Sequence, residues 1–263
     1  ESSESEGNLT NEIPSRKLDF SFSDMIAPRA GFIWDPLKNG RSKVFAHYGK
    51  FYQSIPLTIN VRSFGHENYD FYFYYNPESG LPSTTNPGLL TYIYRSSSEL
   101  TFLDPNIDPQ YLEEYVLGGE YEVMTDVAVG LKYINRSLGE VIEDISVDQG
   151  QSYFITNPGG TFTENPTNGV TLDPPVDFPE AERDFEGIEV SLHKRYSSNW
   201  QLYTSLLWSE LEGNYEGLYS RDNRQIDPNI TSKFDLPSLL DNAFGPLQND
   251  REWQFKAYGS YHW

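Results

Sequence analysis

Residues 199–217 read NWQLYTSLLWSELEGNYEG, and the way this stretch alternates and then stops decides the fold. Trp200, Leu202, Leu206 and Trp208 fall on one side of an extended chain, and Gln201, Tyr203, Ser205 and Ser209 on the other. A period of two is that of a strand with two unlike faces. At Gly213-Asn214 the pattern ends, and roughly forty mostly polar residues pass before Trp253 restarts it. A plain hairpin turn is excluded, because no partner strand follows within turn distance.

The same alternation recurs. In TDVAVGLKYIN (125–135), Val127, Val129, Leu131 and Tyr133 oppose Ala128, Gly130 and Lys132. In GIEVSLHKRY (187–196), Ile188, Val190 and Leu192 oppose Glu189, Ser191 and His193. EWQFKAYGSYHW (252–263) sets Trp253, Phe255, Ala257, Gly259, Tyr261 and Trp263 against Gln254, Lys256, Ser260 and His262. APRAGFIWD, SKVFAHYGKFY and YLEEYVLGGEY are less regular but similar, which makes about seven strands and few helices beyond loop turns.

The connections come in two lengths that alternate along the chain. Short ones lie at Asp35–Arg41, near Glu122–Thr125 and at Ser197–Asn199; long ones run over about 53–110, 137–183 and 212–250. An antiparallel up-and-down sheet then has every short turn at one end and every long loop at the other. Loops beyond about 15 residues are rare in compact soluble domains, whereas outer-membrane barrels combine short periplasmic turns, long outer loops and an apolar outward face with aromatic girdles. The expected fold is all-β: an antiparallel up-and-down sheet of about seven or more long strands, a partial transmembrane β-barrel occupying 1–263 as one domain. The cheap discriminator from a soluble sandwich is direction: Val127, Val129, Val190, Leu192, Leu206 and Trp208 form one outward band in a barrel and meet inside in a sandwich.

Composition narrows the function. A formal charge of −20 argues against a nucleic-acid partner, since such binding depends on Lys and Arg. The absence of cysteine excludes thiol catalysis, disulfides and Cys-ligated metal. The N-terminus lacks the basic and apolar regions of a signal peptide, so the chain reads as unexported, or as a mature or internal piece. Residues 137–184 hold ten carboxylates and a single base, Arg183. Solvated loop surface is the expected role of these carboxylates, with a divalent-ion site as the alternative.

Several stretches, in one shared order, resemble the barrel of TonB-dependent outer-membrane receptors, most closely the Oar-like group with a carboxypeptidase-regulatory-like N-terminal domain. They are APRAGFIWDPLKNGRSKVFAHYGKFYQSIP (27–56), YINRSLGEVIEDI (133–145), LHKRYSSNWQLYTSLLWSELEGNYEGLY (192–219), DPNITSKFDLP (227–237) and NDREWQFKAYGSY (249–261). The resemblance implies an outer-membrane location and energised uptake: an extracellular ligand binds loops and plug, and TonB pulls on the plug. Partners implied are outer-membrane lipid, the plug of the same parent chain, TonB through it, and an extracellular ligand of unknown identity. Such receptors carry a signal peptide, a TonB-contacting motif, a plug and about 22 strands. On this reading the chain is an internal barrel fragment lacking the plug and remaining strands; the other reading makes Trp263 a terminal insertion aromatic. Gly213 to Gly217 would mark the outer rim.

No covalent chemistry, cofactor or metal site is expected. His47, His66, His193 and His262 are scattered, and the neighbours Glu113/Glu114 and Glu143/Asp144 point to opposite faces of a strand. Ligand-contact candidates are the loop aromatics Tyr72, Tyr74 and Tyr75 in NYDFYFYYNP (68–77), with Tyr215 and Tyr219 at the rim; packing among neighbouring loops is the competing role for the first three. The rival function is a secreted, soluble, β-rich carbohydrate- or surface-binding module.

Overall fold

The computed structural model describes residues 2–4, 17–21, 23–64, 68–75, 89–97, 101–219, 224 and 228–263; for 2–4, 17–19, 64, 68–75 and 89–97 it describes the backbone alone. Seven long strands form the main sheet, β1 (Arg29–Trp34), β2 (Ser42–Tyr52), β3 (Tyr111–Met124), β4 (Val127–Leu138), β5 (Arg183–Ser197), β6 (Trp200–Gly213) and β7 (Trp253–Tyr261), and the two-residue piece Gly245–Pro246 pairs with the end of β6. Each long strand pairs antiparallel with the next in sequence, so spatial order follows chain order. Among the described residues the sheet does not close, and β1 and β7 are its edges. Strands β3 to β6 run 12 to 15 residues, longer than the roughly 9–11 that cross a bilayer, so their ends project beyond it.

Local chemistry sets the short turns. Ser198 and Asn199 have φ of 52° and 67°, the paired positive values of a two-residue type I′ hairpin whose twist matches its strands. In the β1–β2 connection, Asp35 accepts hydrogen bonds from the Gly40 amide (2.8 Å), the Leu37 amide (3.2 Å) and the Ser42 hydroxyl (2.5 Å). The three long connections all leave from the opposite end.

Register fixes the faces. Leu131, Val190, Leu206 and Phe255 form one cross-strand row; Tyr133, Ile188, Trp208 and Trp253 form the next. Leu131, Val190 and Phe255 are 58%, 53% and 70% exposed, and no second layer covers them among the described residues. An uncovered band of this width in water would be an association site; against hydrocarbon it is the solvated surface. The opposite face is polar and paired, through Lys43–Glu120 (3.0 Å), Lys132–Glu189 (3.0 Å) and Arg136–Glu114. Glu113 and Glu114 diverge as expected, Glu113 accepting from the Tyr48 hydroxyl (2.8 Å) on the apolar side.

The buried core lies elsewhere. Of the buried apolar side chains, only Ile134 and Leu211 belong to the seven strands. Val141, Ile145, Val147, Phe154, Phe178, Tyr215, Phe234 and Leu240 form one cluster, drawn from the second and third long connections. Phe20, Ile59, Leu103, Ile107, Ile142 and Ile155 form another, joining the segment before β1 to the first and second. Phe154–Thr156 pairs with Glu143–Ile145 on one side and, in parallel, with Phe102–Leu103 on the other. The three long connections therefore share a single packed cap. The aromatic segment Asn68–Tyr75 pairs with Leu89–Ser97 in a separate hairpin.

One expectation is corrected here. The carboxylates of the second long connection are not all solvated: Glu143 is 0% exposed and Asp144 6%. A buried carboxyl persists only where it is paired or hydrogen-bonded. Glu143 accepts from the Thr231 amide (2.9 Å) and hydroxyl (2.8 Å), and Asp144 pairs with Arg62 at 2.6 Å, so each carboxylate ties the second connection to another one.

Candidate ligand site at the rim

The rim motif begins where β6 ends. Gly213 has φ +150°, and a Cβ there would collide with the Glu182 carbonyl. Only glycine lets the chain approach this closely. Asn214 then clamps the start of β5: its side chain accepts from the Glu182 amide (2.7 Å) and donates to the Glu180 carbonyl (2.8 Å), while the amides of Asn214 and Tyr215 donate to the Glu182 carbonyl at 3.0 and 3.1 Å. Gly217, at φ +122°, turns the chain away with open space around it.

This clamp positions the wall of a cavity of about 560 Å³ lined by Tyr52, Tyr111, Arg183, Tyr215, Glu216 and Tyr219, among others. It shares Phe51, Leu112 and Arg183 with a second cavity of about 380 Å³ that continues down the polar face to Glu114 and Arg136. Together they form a path from beneath the cap along the inner wall.

Two buried polar atoms at this wall, Arg183 Nε and Glu216 Oε2, make no hydrogen bond among the described residues, and the Tyr215 hydroxyl lies beside Glu143 and Gln110. Native structures leave few such atoms, and those at a cavity wall point to water or ligand. Tyr215 is fully buried and packs edge-on against Phe234 at 5.6 Å. Burial, then the nearby Glu143 carboxylate, raises its phenol well above the ordinary range, so it stays protonated. Glu216 lies 3.9 Å from Lys233.

Of the five candidate aromatics, Tyr215 and Tyr219 line the same cavity, Tyr215 buried and Tyr219 56% exposed. The side chains of Tyr72, Tyr74 and Tyr75 lie outside the described residues, as does His66. Sequence reasoning missed Arg183 and Glu216 as wall residues. A signal for Arg183 existed, since it is the single base in its acidic stretch. The described histidines stay apart: His47 lies 4.0 Å from Glu114, His193 faces Tyr203, and His262 faces Tyr196.

A meander with a lipid-compatible face, a charge-paired face, short turns at one end and a packed cap at the other defines an outer-membrane-type barrel wall. The family model for an outer membrane beta barrel domain matches residues 7–263, and the chain belongs to that family and to the outer membrane. It is 33% identical over 269 aligned residues to the TonB-dependent transporter Oar of Myxococcus xanthus, an alignment covering 92% of this chain and 24% of that protein. The chain thus spans about a quarter of that relative's length. The crystal structure of the outer membrane transporter YddB from Escherichia coli aligns over 82% of this chain and 22% of its own, at 14% identity and a TM-score of 0.39.

Proposed function

We propose that residues 1–263 form one partial barrel domain of a TonB-dependent outer-membrane transporter, supplying wall strands and an extracellular cap to energised uptake. The observation that carries this reading is the 33% identity to a TonB-dependent transporter over 92% of the chain. The geometry supports it: a cavity with orphaned polar atoms opens under the cap and continues along the inner wall. A ligand entering there meets the tyrosines and the Arg183 and Glu216 side chains before descending past Arg136 and Glu114. Lys and Glu side chains on the polar face are the groups a plug would contact. The role is passage and recognition, with no covalent step. The soluble carbohydrate-binding alternative lacks the inward-packed strand faces it requires.

The test is binding of the purified TonB periplasmic domain to the intact parent protein in detergent. Saturable binding in the micromolar range is expected. Its absence from a correctly folded parent would overturn the energised reading while leaving the barrel intact.

A further inference from the structure

A third cavity, of about 610 Å³, opens in the cap and shares no lining residue with the rim path. All three long connections build it: Arg62 and Thr101 from the first, Asp144 and Gln151 to Tyr153 with Thr167 and Asn168 from the second, Asp235 from the third. Its floor is the pair of half-buried Arg62 and buried Asp144, in which Asp144 Oδ1 is buried and has no hydrogen-bond partner among the described residues.

One wall is pinned in advance. Asp148 accepts from the Ser152 amide (2.9 Å), the Ser152 hydroxyl (2.6 Å) and the Asn165 side chain (2.8 Å). Asn165 in turn accepts from the Thr167 amide (2.9 Å) and hydroxyl (2.6 Å), and the Ser152 and Thr167 hydroxyls meet at 2.9 Å. Hydroxyls held this way face a ligand at little further ordering cost.

The lining selects a chemical class. Arg62 is matched by Asp144 and Asp235 adds negative charge, which disfavours an anion. No group of three or more His, Cys, Asp or Glu among the described residues is placed to hold a metal ion. An apolar ligand would cover Asp144 Oδ1, which has no partner, together with the Arg62, Gln151 and Asp235 side chains that line the cleft. A ring bearing several hydroxyls suits this lining: its hydroxyls donate to carboxylates and accept from guanidinium and amide groups, and its C–H face lies on the exposed Tyr153 ring. We propose that this cleft binds a neutral pyranose unit of a glycan, on the cell exterior and apart from the rim path.

The test uses the intact parent protein in detergent and saturation-transfer NMR with two probes: maltotriose, and the delipidated glycan of lipopolysaccharide from the same outer membrane. Transfer to either is expected, and the probe that responds identifies an exogenous or an own-surface source. Tyr153→Ala and Gln151→Ala, both at exposed positions, each weaken that binding about tenfold or more with the thermal transition unchanged. No transfer to either probe, or transfer unaffected in both variants, overturns the proposal.

Discussion

The wall and the cap of this molecule use the same residue types in opposite ways. In the wall, Leu131, Val190 and Phe255 stand on an uncovered face, while charged pairs line the other. In the cap, Ile145, Phe154 and Phe234 are fully buried, and the acidic groups that accompany them, Glu143 and Asp144, are buried too. The difference follows from the solvent each part meets. Hydrocarbon dissolves an apolar side chain where it stands, so the wall needs no core; strands there are stabilised by backbone pairing with their neighbours. The cap stands in water, must bury apolar area to hold irregular backbone, and carries its polar groups inside only where they are partnered.

The largest expected effect breaks the cap and spares the wall. Arg62→Met leaves Asp144 buried without its cation and costs the cap about 3–5 kcal/mol, read as loss of protease resistance in the long connections while the heat-modifiable barrel band persists. Next, Val190→Lys places charge on the uncovered band and costs about 2–4 kcal/mol, whereas Ser191→Lys, one residue along on the polar face, costs less than about 1 kcal/mol; urea unfolding in vesicles compares the two. Equal costs would mean the faces are not distinguished by their solvent. At the junction, Gly213→Ala costs roughly 1–3 kcal/mol, because the new Cβ meets the Glu182 carbonyl at positive φ, and Gly217→Ala, with open space, costs less.

The smallest effect is a pH slope confined to the cap. Burial pushes the Glu143 carboxyl up to about 8 against the lowering effect of its Thr231 hydrogen bonds, and burial, then Asp144, pushes Asp235 up to about 6. Folded values above the ordinary ones mean that the folded cap favours the protonated forms. For Glu143 that stability is fully present below its ordinary value of 4.5 and is lost as pH rises through about 8. The cap transition, followed by proteolysis, should therefore fall between about pH 5 and about pH 8.5, and Glu143→Gln should flatten the slope. A rising transition would reverse the assignment.

Much of the wall was legible because a period of two is a local property. The face carrying Val129, Val190, Leu206 and Trp208 follows from alternation alone, and the direction of the long connections follows from their lengths. The rim was legible as a break at Gly213 with no partner strand in reach. The cap was not, because its contacts have no local period: Phe102 meets Phe154, and Thr231 meets Glu143, across more than fifty residues of polar-looking chain. For the same reason Glu143 and Asp144 read as solvated, and Arg183 and Glu216 were not seen as wall residues. Tyr215 and Tyr219 were singled out from their place at the rim, yet only coordinates show that one is buried and the other open.

Residues 1–263 contribute no native cysteine of their own to label. The most direct measurement is spin labelling at Leu131, Lys132, Val190, Ser191, Leu206 and Ser205 in the parent protein reconstituted in lipid, comparing collisions with oxygen and with a water-soluble nickel chelate. Labels at Leu131, Val190 and Leu206 should favour oxygen and those at Lys132, Ser191 and Ser205 the chelate, alternating residue by residue. Loss of the alternation, or its reversal, would contradict a wall whose apolar face meets lipid.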